Sequence, residues 1–267
     1  MSVARAYALA AVGLVLGLRA LAGVPEDQRS RLDHDRSAPR KRGYRPPTGT
    51  LGSVGETVGA ISLLVTAIRI LAMGVERQGS VTSLDRKTAT GLHQWARPWL
   101  TSVVRTITWF GSLAVVLPST SVLSIFLARR GRRGQAALLS MVTAGVAILN
   151  PVVKLLVART RPELVRPLVT RPSTFSFPSG HSAVASAFYL TLALLVSENR
   201  GWGVDRRTAF MWGAIVAPGL VGFSRVYLGV HYLSDVVAGV ALGVSWSVAC
   251  VVGSRLWPQR GSAGEEG

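Results

Sequence analysis

Two histidines, one carboxylate and three cations stand at the ends of apolar runs in this chain, spaced as chemistry on an anion would need. Phe177-Pro178-Ser179-Gly180-His181 interrupts the apolar sequence and leads into residues 182–188, which read as a helix. Proline tolerates a first helical turn, where its missing N–H costs nothing. The amides of Ser179, Gly180 and His181 are then expected at the positive end of a helix dipole, a geometry suited to an anion. By itself such a turn is more often structural than functional. Upstream, Lys154 ends an apolar run and Arg161-Pro162 follows; two turns of helix put both cations on one face. Downstream, Ser224-Arg225 precedes His231 and Asp235. Four residues apart on a helix, the carboxylate reaches the imidazole and orients it. The whole set is what in-line attack on a phosphoryl group by a histidine requires.

The three pieces, K-x6-RP, PSGH and SR-x5-H-x3-D, are complete and in order. In this they resemble the signature of the type 2 phosphatidic acid phosphatase (PAP2) superfamily, in its membrane-bound lipid phosphatase branch, over roughly residues 56–257. The resemblance implies that His231 attacks phosphorus and becomes a phosphohistidine, with Asp235 holding its other ring nitrogen. It implies that His181 protonates the leaving oxygen and later activates water. Lys154, Arg161 and Arg225, with Ser179 and the Gly180 amide, would bind the non-bridging oxygens, since guanidinium forks suit phosphate. No metal or other cofactor is called for, because the cations supply the charge compensation.

The elements that must position these groups are apolar. Of 267 residues 49% are hydrophobic and 16% charged, against about a quarter charged in a soluble domain. An all-α polytopic transmembrane bundle is expected, with length for one compact domain. The net charge of +17 suggests nucleic acid, yet the arginines lie in short segments between apolar runs and no RNA-binding or zinc motif appears. Positive loops beside membrane spans account for it better, with a lipid and the bilayer as partners and no nucleic acid. Cys250, the single cysteine, excludes an intramolecular disulfide.

In chain order, residues 6–24 are apolar and fit a signal peptide, a short extra span or an interfacial helix. Residues 25–50 form a basic, proline-containing linker, so 1–55 is set apart from a phosphatase domain at 56–257 and a polar tail at 258–267. Six core spans are expected near 56–75, 103–128, 135–157, 179–197, 209–229 and 235–257, with a kink at Asn150-Pro151. Residues 85–99 read as a polar interfacial stretch, and Trp95, Trp99 and Trp109 as interface and packing residues. Arg159 reads as a lipid-headgroup contact. Ser224 is equally suited to phosphate or to a backbone carbonyl, Asp235 has the lesser alternative of pairing with an arginine, and His34 and His93 match nothing.

The arginine turns at 129–133 and 200–207 fall on one side if the spans alternate, which makes that side cytoplasmic. The three motifs then meet at the extracytoplasmic face of the plasma membrane. Three functions compete: a lipid phosphatase acting on a phosphate mono- or diphosphate ester, a vanadium-dependent haloperoxidase, and an inactive lipid-binding or transport protein. The spans argue against the second, and the intact His181, His231 and Asp235 against the third. Neither the lipid nor the oligomeric state is legible.

Overall fold

The computed structural model describes residues 80–197 and 203–256, besides Ser62. The apolar stretch at 6–24, the linker, the expected span at 56–75 and the tail lie outside the described residues. Seven helices follow in order: α1 (Ser80–His93), α2 (Pro98–Trp109), α3 (Leu113–Arg129), α4 (Arg133–Val157), α5 (Gly180–Ser197), α6 (Val204–Tyr227) and α7 (Leu233–Leu256). All ordered elements among the described residues are helical. α4, α5, α6 and α7 are each long and apolar enough to cross a membrane, and α2 with α3 makes a fifth crossing if the bent pair is one span.

The polar stretch at 85–99 gains detail and the second span changes. In the first, α1 runs to His93, and Arg97 is extended (φ −132°) ahead of Pro98, which opens α2. The residue before a proline is driven out of the helical region, so the boundary is local chemistry. The span expected at 103–128 is broken. Phe110, Gly111 and Ser112 donate to the carbonyls three residues back, and the axis turns by 41°. Gly111 shows why the break sits there. A Cβ on it would lie 2.5 Å from Val221 Cγ1 and 2.8 Å from the His181 carbonyl oxygen, so the bend lays bare backbone against α5 and α6. α4, by contrast, continues as one helix through Pro151.

α5 is the axle of the bundle, packed against α3, α4, α6 and α7, with most of its residues buried. Its sequence is small at the contacts (Ser182, Ala183, Ser186, Ala187), and α7 answers with Gly239 and Gly243 one turn apart. A Cβ on either would meet α5 or its leading turn at 2.4 Å or less. Small residues on both faces let the backbones approach, which is how apolar helices associate when lipid removes the hydrophobic drive. The outward faces of α3, α4 and α6 expose Val122, Ile125, Ile148, Leu155, Leu156, Trp212 and Val216. Such continuous apolar surface suits a bilayer, not water. The Arg130 and Arg132 side chains lie beside Leu195 and Phe210, so the arginine turn marks the end of the bundle away from the start of α5.

Candidate active site

The C-terminal end of α4, the 158–179 loop, the start of α5, the end of α6 and the start of α7 converge at the other end of the bundle. All three motifs lie there. α6 ends at Tyr227, and Gly229 takes a left-handed conformation (φ +71°) that turns the chain sharply. The amides of Val230 and His231 both donate to the Arg225 carbonyl at 3.3 Å. That turn delivers His231 into the interior, where it is 2% exposed.

His231 Nε2 lies 3.2 Å from Arg161 Nη1. A guanidinium can only donate, so Nε2 accepts and the ring proton belongs on Nδ1. Nδ1 faces Asp235 Oδ2 at 3.4 Å, an electrostatic contact somewhat longer than a hydrogen bond. Asp235 is held from two further sides, by the Tyr232 amide at 2.9 Å and by Arg159 Nη1 at 2.5 Å. Burial, opposed by the neighbouring Asp235, lowers the His231 pKa to about 4. The imidazole is therefore neutral near pH 7, with its Nε2 lone pair available.

Arg161 and Arg225 act directly on this ring, and Lys154 lies near enough to act on Arg161, Arg225 and Asp235. Arg161 is 7% exposed and donates to Thr174 O (2.8 Å), Val230 O (2.7 Å), Thr174 Oγ1 (3.1 Å) and Phe175 O (3.3 Å). Burial lowers its pKa, with Asp235 acting in the opposite sense. Lys154 Nζ donates to Phe175 O and, at 3.5 Å, to Ser176 O. Arg225 Nη1 donates to Thr108 Oγ1 at 2.9 Å, while its Nε is buried with no hydrogen-bond partner. An orphaned buried donor in a native fold calls for an explanation, and a role in binding an anion supplies one. Ser224 Oγ donates to Val221 O at 2.6 Å, the backbone-carbonyl alternative.

The Pro178–His181 turn differs from expectation in one respect. The Ser179 amide donates to the Asp235 carbonyl at 2.8 Å, so it is not open to an anion. The Ser179 side chain is fully buried and accepts from Ser182 Oγ at 2.9 Å and from the Ser182 amide at 3.4 Å, capping α5. Gly180 and His181 remain as the first two helical residues, where amides lack intrahelical acceptors. Asn150 braces the turn: its Nδ2 donates to Pro178 O at 3.4 Å, and a Cβ on Gly180 would sit 3.0 Å from its Oδ1. A cavity of about 440 Å³ opens beside the turn, lined by Arg105, Thr108, Trp109, Thr170, His181 and Arg225. Trp109 thus borders the site as well as the bundle surface.

The residue placed furthest from expectation is Arg159. It is no headgroup contact; its side chain is 8% exposed and forks between Asp235 Oδ1 (2.5 Å) and Asp85 Oδ2 (2.8 Å). Its guanidinium also lies 4.1 Å from the centre of the Tyr232 ring. Asp85 is completely buried and accepts from the Ser234 amide at 2.9 Å and the Ser234 hydroxyl at 2.5 Å. Burial opposes the Arg159 charge, but the two carboxylates outweigh it and raise its pKa. Asp235 therefore does both things weighed for it: it pairs with an arginine and faces His231.

The PAP2 superfamily model matches residues 135–257, which hold all three motifs. Phosphatidylglycerophosphatase B of Bacillus subtilis is 33% identical over 176 residues, 66% of this chain and 85% of that protein. Undecaprenyl-diphosphatase of Sulfolobus acidocaldarius is 37% identical over 142 residues, 51% of this chain and 62% of that one. The crystal structure of a transmembrane PAP2-type phosphatidylglycerolphosphate phosphatase from Bacillus subtilis superposes with a TM-score of 0.69 at 29% identity, covering 75% of this chain and 98% of the other. Sequence, helix arrangement and the convergence of the three motifs agree: this chain belongs to the PAP2 superfamily and is a membrane phosphatase of that type.

Proposed function

We propose that the protein hydrolyses the phosphate mono- or diphosphate ester of a membrane lipid through a phosphohistidine on His231. The observation that carries this reading is the ring geometry: Nε2 toward Arg161 at 3.2 Å and Nδ1 toward Asp235. A phosphoryl group entering between His231 and Arg161 takes over the guanidinium contact, with Lys154, Arg225 and the Gly180 amide on its remaining oxygens. Nε2 forms the bond to phosphorus as the bond to the leaving oxygen breaks. His181, on the cavity wall, gives that oxygen a proton. It then takes one from water, whose oxygen displaces Nε2 and releases phosphate. Asp235 stabilises the positive charge that the ring carries between the two steps.

A lipid substrate follows from the setting. The phosphate sits at the end of the bundle, and its tail has the apolar flanks of the helices. The matched relatives act, by their names, on phosphatidylglycerophosphate and on a prenyl diphosphate. Those same outward apolar faces are foreign to a soluble haloperoxidase. The arginine-rich end, away from the motifs, is the cytoplasmic one by the positive-inside rule, so the pocket opens at the extracytoplasmic face of the plasma membrane. The test is phosphate release from detergent-purified protein, in EDTA, with undecaprenyl diphosphate, undecaprenyl phosphate, phosphatidic acid and phosphatidylglycerol phosphate. Release from at least one, lost in His231→Ala, is expected. No release from any of them overturns the proposal.

A further inference from the structure

We infer that Asp85 and Arg159 are positioning residues for the reaction: through Asp235 they set the charge seen by His231, so that α1 completes the active site. The inference rests on the phosphohistidine reading of His231.

The observations form one connected chain. Asp85 lies on α1, outside the residues that the family model matches. It accepts from the Ser234 amide and hydroxyl at the first turn of α7, supplying from another helix the acceptor that a helix N-terminus needs. Arg159 then ties Asp85 to Asp235 and also donates to Ser234 Oγ at 2.8 Å. Asp235 Oδ2 turns to the imidazole. The two carboxylates are wholly buried and the guanidinium nearly so. A packed stripe of leucines would hold α1 to the bundle with less desolvation, so the cluster calls for a second reason.

Charge supplies it. Two carboxylates and one guanidinium leave one net negative charge beside the neutral imidazole. When Nε2 attacks phosphorus the ring becomes cationic, and the cluster is balanced. With Arg159 but no Asp85, Asp235 is neutralised before the reaction begins and has little left for the ring. With Asp85 but no Arg159, the ring faces two uncompensated carboxylates and tends to hold a proton on Nε2, which blocks attack. The other charged or titratable groups around His231 are Arg161 from the loop, Arg225 from α6, Lys154 from α4 and His181 from α5. None of these changes between the variants below.

The experiment follows kcat and kcat/KM from about pH 2.5 to 8, a window that brackets limbs one unit either side of the wild-type one, for wild type, Asp85→Asn, Arg159→Gln and the double variant, each shown to be monodisperse in detergent. Asp85→Asn should lose about tenfold or more in kcat with a smaller change in KM. Its acidic limb should move down by about one pH unit, and that of Arg159→Gln up by a similar amount. The double variant, which restores the net charge, should return the limb toward wild type. A merely structural cluster predicts unmoved limbs and a double variant worse than either single, and that result overturns the inference. Should Asp85→Asn fail to fold, Arg159→Gln decides by its upward displacement alone. Phosphate release absent from wild type, or kept in His231→Ala, counts against the phosphatase mechanism; unmoved limbs in active variants count against this inference alone.

Discussion

Adding one methyl group at Gly239 should damage catalysis more than stability, and the same change one turn away should do the reverse. A Cβ at Gly239 would stand 2.4 Å from the Ser179 carbonyl oxygen, which is backbone and cannot rotate away. Restoring van der Waals distance separates α7 from the Pro178–His181 turn by about 1 Å, and overpacking of this kind costs about 1–3 kcal/mol. Gly243 faces a similar conflict, 2.3 Å from the Ala183 carbonyl and 3.0 Å from the Ala187 amide, so Gly243→Ala should cost a similar amount of stability. The two differ in what is moved. Ser179 is also bonded through its amide to the Asp235 carbonyl at 2.8 Å, so Gly239→Ala pushes apart the two segments carrying His181 and Asp235. A misplacement of about 1 Å at reacting groups costs on the order of 100-fold in rate. Thermal melting in detergent should rank the two variants together, whereas kcat/KM for phosphate release should fall about 100-fold in Gly239→Ala and less than about tenfold in Gly243→Ala. Wild-type kcat/KM in a folded Gly239→Ala protein, or equal losses in both, would refute this coupling of packing to site geometry.

Three further expectations bear on roles, pH and sidedness. His181→Ala should be severely impaired with lipid substrates, and least so with a phosphate ester whose leaving group needs no proton; a uniform loss across leaving groups removes the general-acid role. Burial holds the His231 pKa below its unfolded value near 6.5, at about 4. The fold therefore favours the neutral ring: nothing is lost above pH 6.5, and stability declines by up to a few kcal/mol as pH falls through that interval. Melting temperature should drop over it in wild type and be flatter in His231→Gln. In a Cys250→Ser background, a membrane-impermeant maleimide should label a cysteine at Ser173 in intact cells and one at Gly203 only after permeabilisation. The reverse pattern puts the pocket in the cytoplasm.

The residues legible in the sequence are those whose partners sit close along the chain or whose spacing is a motif. Lys154 and Arg161 are seven apart, His231 and Asp235 four apart, and each group ends an apolar run that is itself legible by composition. Asp85 and Arg159 were not legible. Their contact spans 74 residues, and α1 is too polar to stand out as a helix of the bundle. Arg159 beside Arg161 reads as surplus positive charge until its two carboxylates are seen. The break at Gly111 is hidden for another reason: residues 103–128 are apolar enough on average to read as one span, and hydropathy carries no information about where a helix must bend around Val221 and His181. The Ser179 amide looked free because the Asp235 carbonyl that binds it arrives from 56 residues further on.

If His231 Nε2 is the nucleophile, its phosphorylated form can be captured directly. Wild type and His181→Ala are mixed with a radiolabelled phosphate ester bearing a good leaving group, quenched in alkali to preserve phosphohistidine, digested and mapped by mass spectrometry. His181→Ala, able to form the intermediate but slow to activate the water that removes it, should accumulate label on the peptide carrying His231, and His231→Ala should carry none. Turnover without label at His231, or label on another residue, would contradict the account.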